Sequence, residues 1–265
     1  MKTWHLFSML TLFNATLCAE TVILNANESP PYWVKNSPTH GMGAELITAI
    51  SEEVGLDSRI EFMPLKRLIN DTTNNDLGNP VFYISNQDFA AIIPIAVSEV
   101  ALYRYNPKLV KLPEIKTLKD LNGYRLGALS GTVTDTDAFE KLGIHIETSF
   151  TRESLFKKLH HGRLDLVLEI DLVGKQTITA LFPDELDHFV ETELPSSISP
   201  IAIMLDKNYP NAKNIAARYR EGLAKIIKNG RYAEITRRYY LKELPTNWFK
   251  ELSRFTRFYD RASLS

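Results

Sequence analysis

The chain has 265 residues, of which 44% are apolar, 24% charged and 10% aromatic, with twelve glycines and thirteen prolines. That balance excludes collagen-like, low-complexity and generally disordered chains, and the length allows a large core that can divide into two lobes. A net charge of −1 leaves no basic field for nucleic acid or an anionic membrane surface. The single cysteine excludes a disulfide framework and a cysteine-rich metal site.

Met1-Lys2 carries the only charge before Glu20, Leu6 to Leu17 is mostly apolar, and small residues follow at Cys18-Ala19. This is the layout of a secretory signal peptide over residues 1–19, too short to span a bilayer. Bulky Leu17 makes Ala15-Thr16-Leu17-Cys18 a poor lipoprotein box. No later segment reaches about eighteen uninterrupted apolar residues, so the mature chain is expected to be soluble and exported to the periplasm.

Along the mature chain, Thr21 to Asn25 reads as a strand, followed by the loop Asn27-Glu28-Ser29-Pro30-Pro31-Tyr32-Trp33. Ala44 to Val54 reads as a helix with Leu46, Ile47, Ile50 and Val54 on one face and Gly55 as its stop. Ile60 to Met63 reads as a strand, and Pro64 opens a short helix. Further strands are expected at Val81 to Ile84, Ala90 to Ile95 and Val100 to Tyr105. Strand and helix then alternate: Tyr124–Leu129, Thr132–Leu142, Ile144–Thr148, Arg152–His160 and Leu164–Leu168. Such alternation means βαβ units and a mainly parallel sheet. Ala212, Ile215, Ala216, Tyr219, Leu223, Ile226 and Ile227 recur at helical spacing up to Asn229-Gly230, and helices follow from Tyr232 and over Trp248 to Phe258.

Four motifs fall in an order similar to that of the amino-acid-binding type of periplasmic solute-binding protein, the family 3 extracellular components of ABC importers. They are Glu28-Ser29-Pro30-Pro31-Tyr32-Trp33, then Gly41-Met42-Gly43-Ala44-Glu45-Leu46-Ile47. After these come Leu118-Lys119-Asp120-Leu121-Asn122-Gly123 with Ser130-Gly131-Thr132, and finally Asn229-Gly230-Arg231-Tyr232-Ala233-Glu234-Ile235. The resemblance covers nearly the whole mature chain. It implies an α/β, two-lobed type II periplasmic-binding-protein-like fold, each lobe a mainly parallel sheet flanked by helices, joined by two crossing strands. Lobe one would hold residues 20–97 and 200–265, lobe two residues 98–199, and ligand would be trapped between them. Met63-Pro64-Leu65-Lys66-Arg67 also looks like a Pro-x-x-Arg element of one branch of that family.

The expected ligand-binding residues are Glu28, Tyr32, Trp33, Arg67, Ser85, Asp88, Gly131, Thr132 and Glu169. Two prolines stiffen the loop before Tyr32 and Trp33, so one of the two rings can be held over the cleft while the other packs on its own lobe. Gly131-Thr132 falls at a strand-to-helix turn, where free N–H groups favour an anion; Ser130 or Thr132 can also serve as a helix cap there. Arg67 can fork onto a carboxylate or remain a solvated arginine. Glu169 follows a strand at the cleft end of an open sheet and can receive an amine, with Asp171 better suited to capping. One departure concerns Ser85-Asn86-Gln87-Asp88, which aligns with the family's Thr-x-x-Arg and sets an aspartate where the α-carboxylate-binding arginine is expected. A carboxylate there repels an α-carboxylate, unless Arg67 takes over the clamp or Asp88 is a solvated turn residue outside the cleft.

No nucleophile elbow, phosphate-binding loop or His-Glu-x-x-His occurs, and His160-His161 diverge by about 100° at a helix end, so they cannot chelate from one face. The reading is a non-catalytic, monomeric binding protein without cofactor or metal. Its expected partners are a small polar, amino-acid-like ligand and the membrane permease of an ABC importer, with no nucleic acid. The alternatives are a periplasmic enzyme resembling cyclohexadienyl dehydratases, with Glu169 as general acid, or an exported sensory binding subunit.

Overall fold

The computed structural model describes residues 21–85, 87–133, 136–240, 244 and 247–262; the expected signal peptide lies outside them. Strand β1 (Thr21–Ala26) buries Val22, Leu24 and Ala26, and helix α1 (Met42–Val54) crosses over to strand β2 (Asp57–Phe62), which pairs parallel with β1. The helix stops at Gly55, whose φ of 65° is the left-handed C-cap conformation that glycine adopts freely. Helix α2 (Leu65–Asn70) starts after Pro64, and strand β3 (Asp76–Gly78) lies beside β1.

The expected strand at Val81 to Ile84 is instead a single 3-10 turn over Pro80–Phe82. Pro80 fixes the first φ of that turn, and the Asn79 side chain accepts from the Val81 N–H at 3.1 Å, so local capping overrides the β-branched composition. Strand β4 (Phe89–Tyr105), expected as two strands, is one strand of 17 residues. It runs antiparallel to strand β8 (Phe189–Asp206), with register shifts near Pro94 and between Glu99 and Ala101. These bulges bend a ladder that would otherwise be too long to stay straight.

Between β4 and β8 the chain builds the second lobe from strand β5 (Arg125–Leu129), helix α3 (Thr136–Lys141), strand β6 (His145–Ser149), helix α4 (Arg152–His160), strand β7 (Leu166–Ile170) and helix α5 (Asp171–Leu181). One eight-stranded sheet results, in the order β2-β1-β3-β8-β4-β7-β5-β6. Pairings among β1, β2 and β3, and among β5, β6 and β7, are parallel, whereas every pairing made by β4 or β8 is antiparallel. Parallel ladders thus lie outside and antiparallel ones at the waist, the two-lobed arrangement expected above.

Helices α6 (Ala212–Lys228), α7 (Arg231–Tyr240) and α8 (Trp248–Ala262) return to lobe one. Helix α6 buries Ile215, Ala216, Tyr219, Leu223 and Ile226 against α1 and the sheet. Each buried Leu or Ile side chain among these contributes about 1.5–3 kcal/mol when removed from water. The Trp248 Nε1–H donates to the Tyr232 hydroxyl, which donates to the Ile95 carbonyl, and so ties α8 and α7 to β4. Lobe two has its own cores, with Leu155, Phe156, Leu159 and Leu164 on one sheet face and Leu121, Leu126, Ile144 and Leu166 on the other.

Asp76 in β3 is fully buried and neither carboxylate oxygen has a hydrogen-bond partner. Burial, reinforced by Asp71 and Asp206, pushes its pKa up to about 8. The folded state therefore holds a proton that the unfolded chain releases near pH 4, so stability falls progressively as pH rises from about 4 to about 8. Asp76→Asn should gain more than about 1 kcal/mol over the parent at pH 8, with the gain shrinking toward pH 5. Urea unfolding at both pH values measures this, and a pH-independent difference between the two proteins would refute it.

Candidate functional site

In lobe one β1 and β3 run toward the waist, and Asn79, Phe82 and Tyr83 follow directly from β3. There, facing lobe two, a cavity of about 110 Å³ opens between the lobes. Its lobe-one wall carries Tyr32, Trp33, Asn79 and Tyr83, and its lobe-two wall carries Thr132, Arg152 and Glu169.

The aromatic wall is held by a fit between two sequence motifs. The N–H groups of Met42 and Gly43, at the start of α1, donate to the carbonyls of Pro31 and Tyr32 at 2.9 and 3.0 Å. These bonds satisfy helix N-terminal donors that otherwise lack partners. The close approach needs glycine: at Gly41, with φ of 94°, a Cβ would lie 2.5 Å from the Pro31 carbonyl oxygen. At Gly43 it would lie 2.4 Å from Cη2 of the Trp33 ring. The Tyr32 hydroxyl meets that of Tyr240 at 3.2 Å, and burial raises its pKa.

The charged wall is a buried ion pair. Arg152 Nε donates to Glu169 Oε2 at 2.7 Å, with the two side chains only 14% and 4% exposed. Glu169 Oε1 accepts from the Ile170 N–H at 2.9 Å, so both carboxylate oxygens are engaged. The same guanidinium crosses to lobe one, where Nη2 donates to Ser29 Oγ at 3.1 Å and Nη1 to the Glu28 carbonyl at 3.3 Å. One side chain thus joins the two lobes at the mouth of the cavity. Beneath it, Asp171 is the first residue of α5 rather than its cap, and burial pushes its pKa up to about 6.

The expected residues divide accordingly. Tyr32, Trp33, Thr132 and Glu169 line the cavity, both aromatic rings included. Glu28 is exposed and offers its carbonyl rather than its carboxylate. Gly131 lies beside α2 of lobe one, its Cβ position 3.7 Å from Ile69 and 3.8 Å from Leu65. The Thr132 N–H and hydroxyl both bond the Leu129 carbonyl, at 3.1 and 2.7 Å, so both donors of this residue are engaged in a local turn rather than left open for an anion. Arg67 is exposed and off the cavity wall, because Leu65 and Ile69 take the helix face toward lobe two and a residue two positions from Leu65 points about 200° away.

Ser85 and Asp88 also lie off the cavity. After Tyr83 the chain returns to the outer end of lobe one, where β4 starts; Asp88 there is 78% exposed and pairs with Lys207 at 3.0 Å. The aspartate expected on the cleft wall is a solvated surface residue, and Asn86 lies outside the described residues.

Arg152, Asn79 and Tyr83 escaped the sequence reading. A signal for Arg152 was present: it opens α4 one residue after the Thr151 cap, where a cation opposes the helix dipole, and such a residue needs another reason to be there. Among the described residues no cluster of His, Cys, Asp or Glu is arranged to hold a metal ion, and no helix is long and apolar enough to cross a membrane.

No family model matches the sequence, and no curated protein matches it. Solved structures do. A histidine kinase sensor domain with similarity to periplasmic binding proteins superposes with a TM-score of 0.67 at 18% identity, covering 83% of this chain and 96% of that one. The arginine-, lysine- and histidine-binding protein ArtJ from Geobacillus stearothermophilus gives 0.63 at 20% identity, covering 88% and 100%. The GluR0 ligand-binding core from Nostoc punctiforme, in complex with L-glutamate, gives 0.63 at 18% identity, covering 83% and 99%. The chain has the two-lobed fold of the periplasmic binding proteins.

Gly43→Ala should unseat Trp33 and cost about 1–3 kcal/mol, since the added methyl overlaps the ring of a buried tryptophan. Denaturant unfolding and the near-ultraviolet circular dichroism of the tryptophans report it. Parental stability with an unchanged spectrum would show that the two motifs do not lock together.

Proposed function

We propose that the protein is an exported, monomeric binding protein that closes on a small zwitterionic, amino-acid-like ligand and delivers it to the permease of an ABC importer. The observation that supports this reading is the buried Arg152–Glu169 pair on the cavity wall. Removing both charges from water is costly, and a site that does so in a cleft is prepared for a ligand bearing both signs. The ligand ammonium would join Glu169 and its carboxylate Arg152, with its side chain against Tyr32, Trp33 and Phe82. Arg152 also bonds lobe one, so engaging it couples binding to closure.

Binding without turnover is favoured over a dehydratase because both Glu169 oxygens act as acceptors, the arrangement of a carboxylate that holds a cation rather than one that delivers a proton. A sensory subunit would use the same cleft, and likeness to a histidine kinase sensor domain keeps that reading in view.

A thermal-shift screen over amino acids, amines and organic acids identifies the ligand, and calorimetry then compares variants. Arg152→Ala and Glu169→Gln should each weaken binding by about 2–5 kcal/mol. Parental affinity in both would remove the cleft assignment. Loss of ligand uptake on gene deletion, restored by the parent but not by Arg152→Ala, would support the importer; unchanged uptake with loss of a transcriptional response would favour the sensor. Periplasmic protein should have a mass lacking residues 1–19, and a form retaining Lys2 would contradict export by cleavage.

A further inference from the structure

At the outer end of lobe two, far from the cleft, a second cavity of about 440 Å³ lies where β4 ends and α4 stops at His160. Its walls include Tyr105, Leu112, Pro113, Tyr124, Leu159 and Leu164. Arg104 of β4 also lines it and is only 7% exposed. The guanidinium donates from Nη1 to the Pro113 carbonyl at 2.7 Å and from Nη2 to Thr192 Oγ1 at 3.2 Å, both neutral acceptors. Its Nε–H has no partner, and among the described residues no carboxylate pairs with it.

The acids nearby are engaged elsewhere. Asp165, also on the cavity wall, is held by Arg125 through three bonds, from its backbone N–H at 2.8 Å and its guanidinium at 2.9 and 2.7 Å. Glu185 accepts from Tyr105 and from His160 Nε2. A buried arginine cannot escape its desolvation cost by losing a proton, as a buried acid can, so one paired only with neutral acceptors is stabilised by an anion placed beside it.

We propose that this cavity is a second ligand site, for a small monocarboxylate with an aromatic or branched aliphatic body, its carboxylate set toward Arg104. One guanidinium balances one negative charge, which suits a carboxylate better than a phosphate dianion. The tyrosines and leucines supply apolar cover for the body of the molecule. The site is independent of the cleft, since none of its wall residues touches the cleft cavity.

Phenylacetate, with the neutral phenylacetamide as control, is the probe, titrated by calorimetry into the full mature chain. The parent and Arg152→Ala should bind phenylacetate equally, and phenylacetamide should bind at least about tenfold more weakly. Arg104→Gln should lose about tenfold or more. If that variant fails to fold, Gly162 decides: it lies on the cavity wall at φ of 65°, with open space where a Cβ would go. Gly162→Asp places a like charge at the mouth and should weaken phenylacetate several-fold relative to Gly162→Asn, both residues tolerating that backbone. Equal affinity for acid and amide, no binding of phenylacetate at millimolar concentration, loss of binding in Arg152→Ala, or identical behaviour of the Gly162 variants would each overturn the assignment.

Discussion

Strands β4 and β8 pair along nearly their whole lengths, and among the described residues they are the elements that belong to both lobes. Everything else hangs on that ladder. In lobe one, β3 joins the far edge of β8; in lobe two, β7 joins β4. Because lobe one's β1 and β3 end toward the same waist, their loops converge there from one side while Thr132, Arg152 and Glu169 reach it from the other. The cleft is therefore a consequence of topology before any ligand chemistry is added. Bulges between Pro94 and Ala96 and between Glu99 and Ala101 bracket the waist, where a small change in backbone angle moves whole lobes.

Arg152 gives that geometry its chemistry. A lone arginine at the start of a helix is disfavoured by the dipole, and a lone Glu169 inside a sheet would be expensive to ionise. Together they neutralise one another, and the remaining donors of the guanidinium close the gap to Ser29 and Glu28. Opposite stands an aromatic wall whose position depends on two glycines having no side chain. A polar clamp on one lobe and a rigid apolar face on the other is an arrangement that fixes orientation by charge and selects by shape.

Two buried groups of opposite sign lie outside this site and resolve their burial differently. Asp76 becomes neutral by keeping its proton, which makes it a matter of stability and pH. Arg104 has no such option, because guanidinium stays charged in any protein interior. Asp76 thus absorbs its cost by itself, whereas Arg104 meets part of its cost with the Pro113 carbonyl and the Thr192 hydroxyl and, in the site proposed above, the rest with the charge of a bound anion.

Much of this architecture was legible in the residues. Apolar periodicity located α1, α4, α6, α7 and α8 within a few residues, and alternation of strand and helix placed β5, β6 and β7, because these signals are local and repeat every two or 3.6 residues. Likewise the Pro-Pro-Tyr-Trp loop and the Gly41 to Gly43 segment stood out as unusual. What the sequence could not state is that they touch. Nor could it show that Val81 lies in a capped turn, that Ala90 to Tyr105 is one strand, or that Asp88 faces solvent while Arg152 turns inward. A side chain's direction across a cleft depends on which strands become neighbours, and pairing between residues a hundred positions apart leaves no periodic trace in either partner.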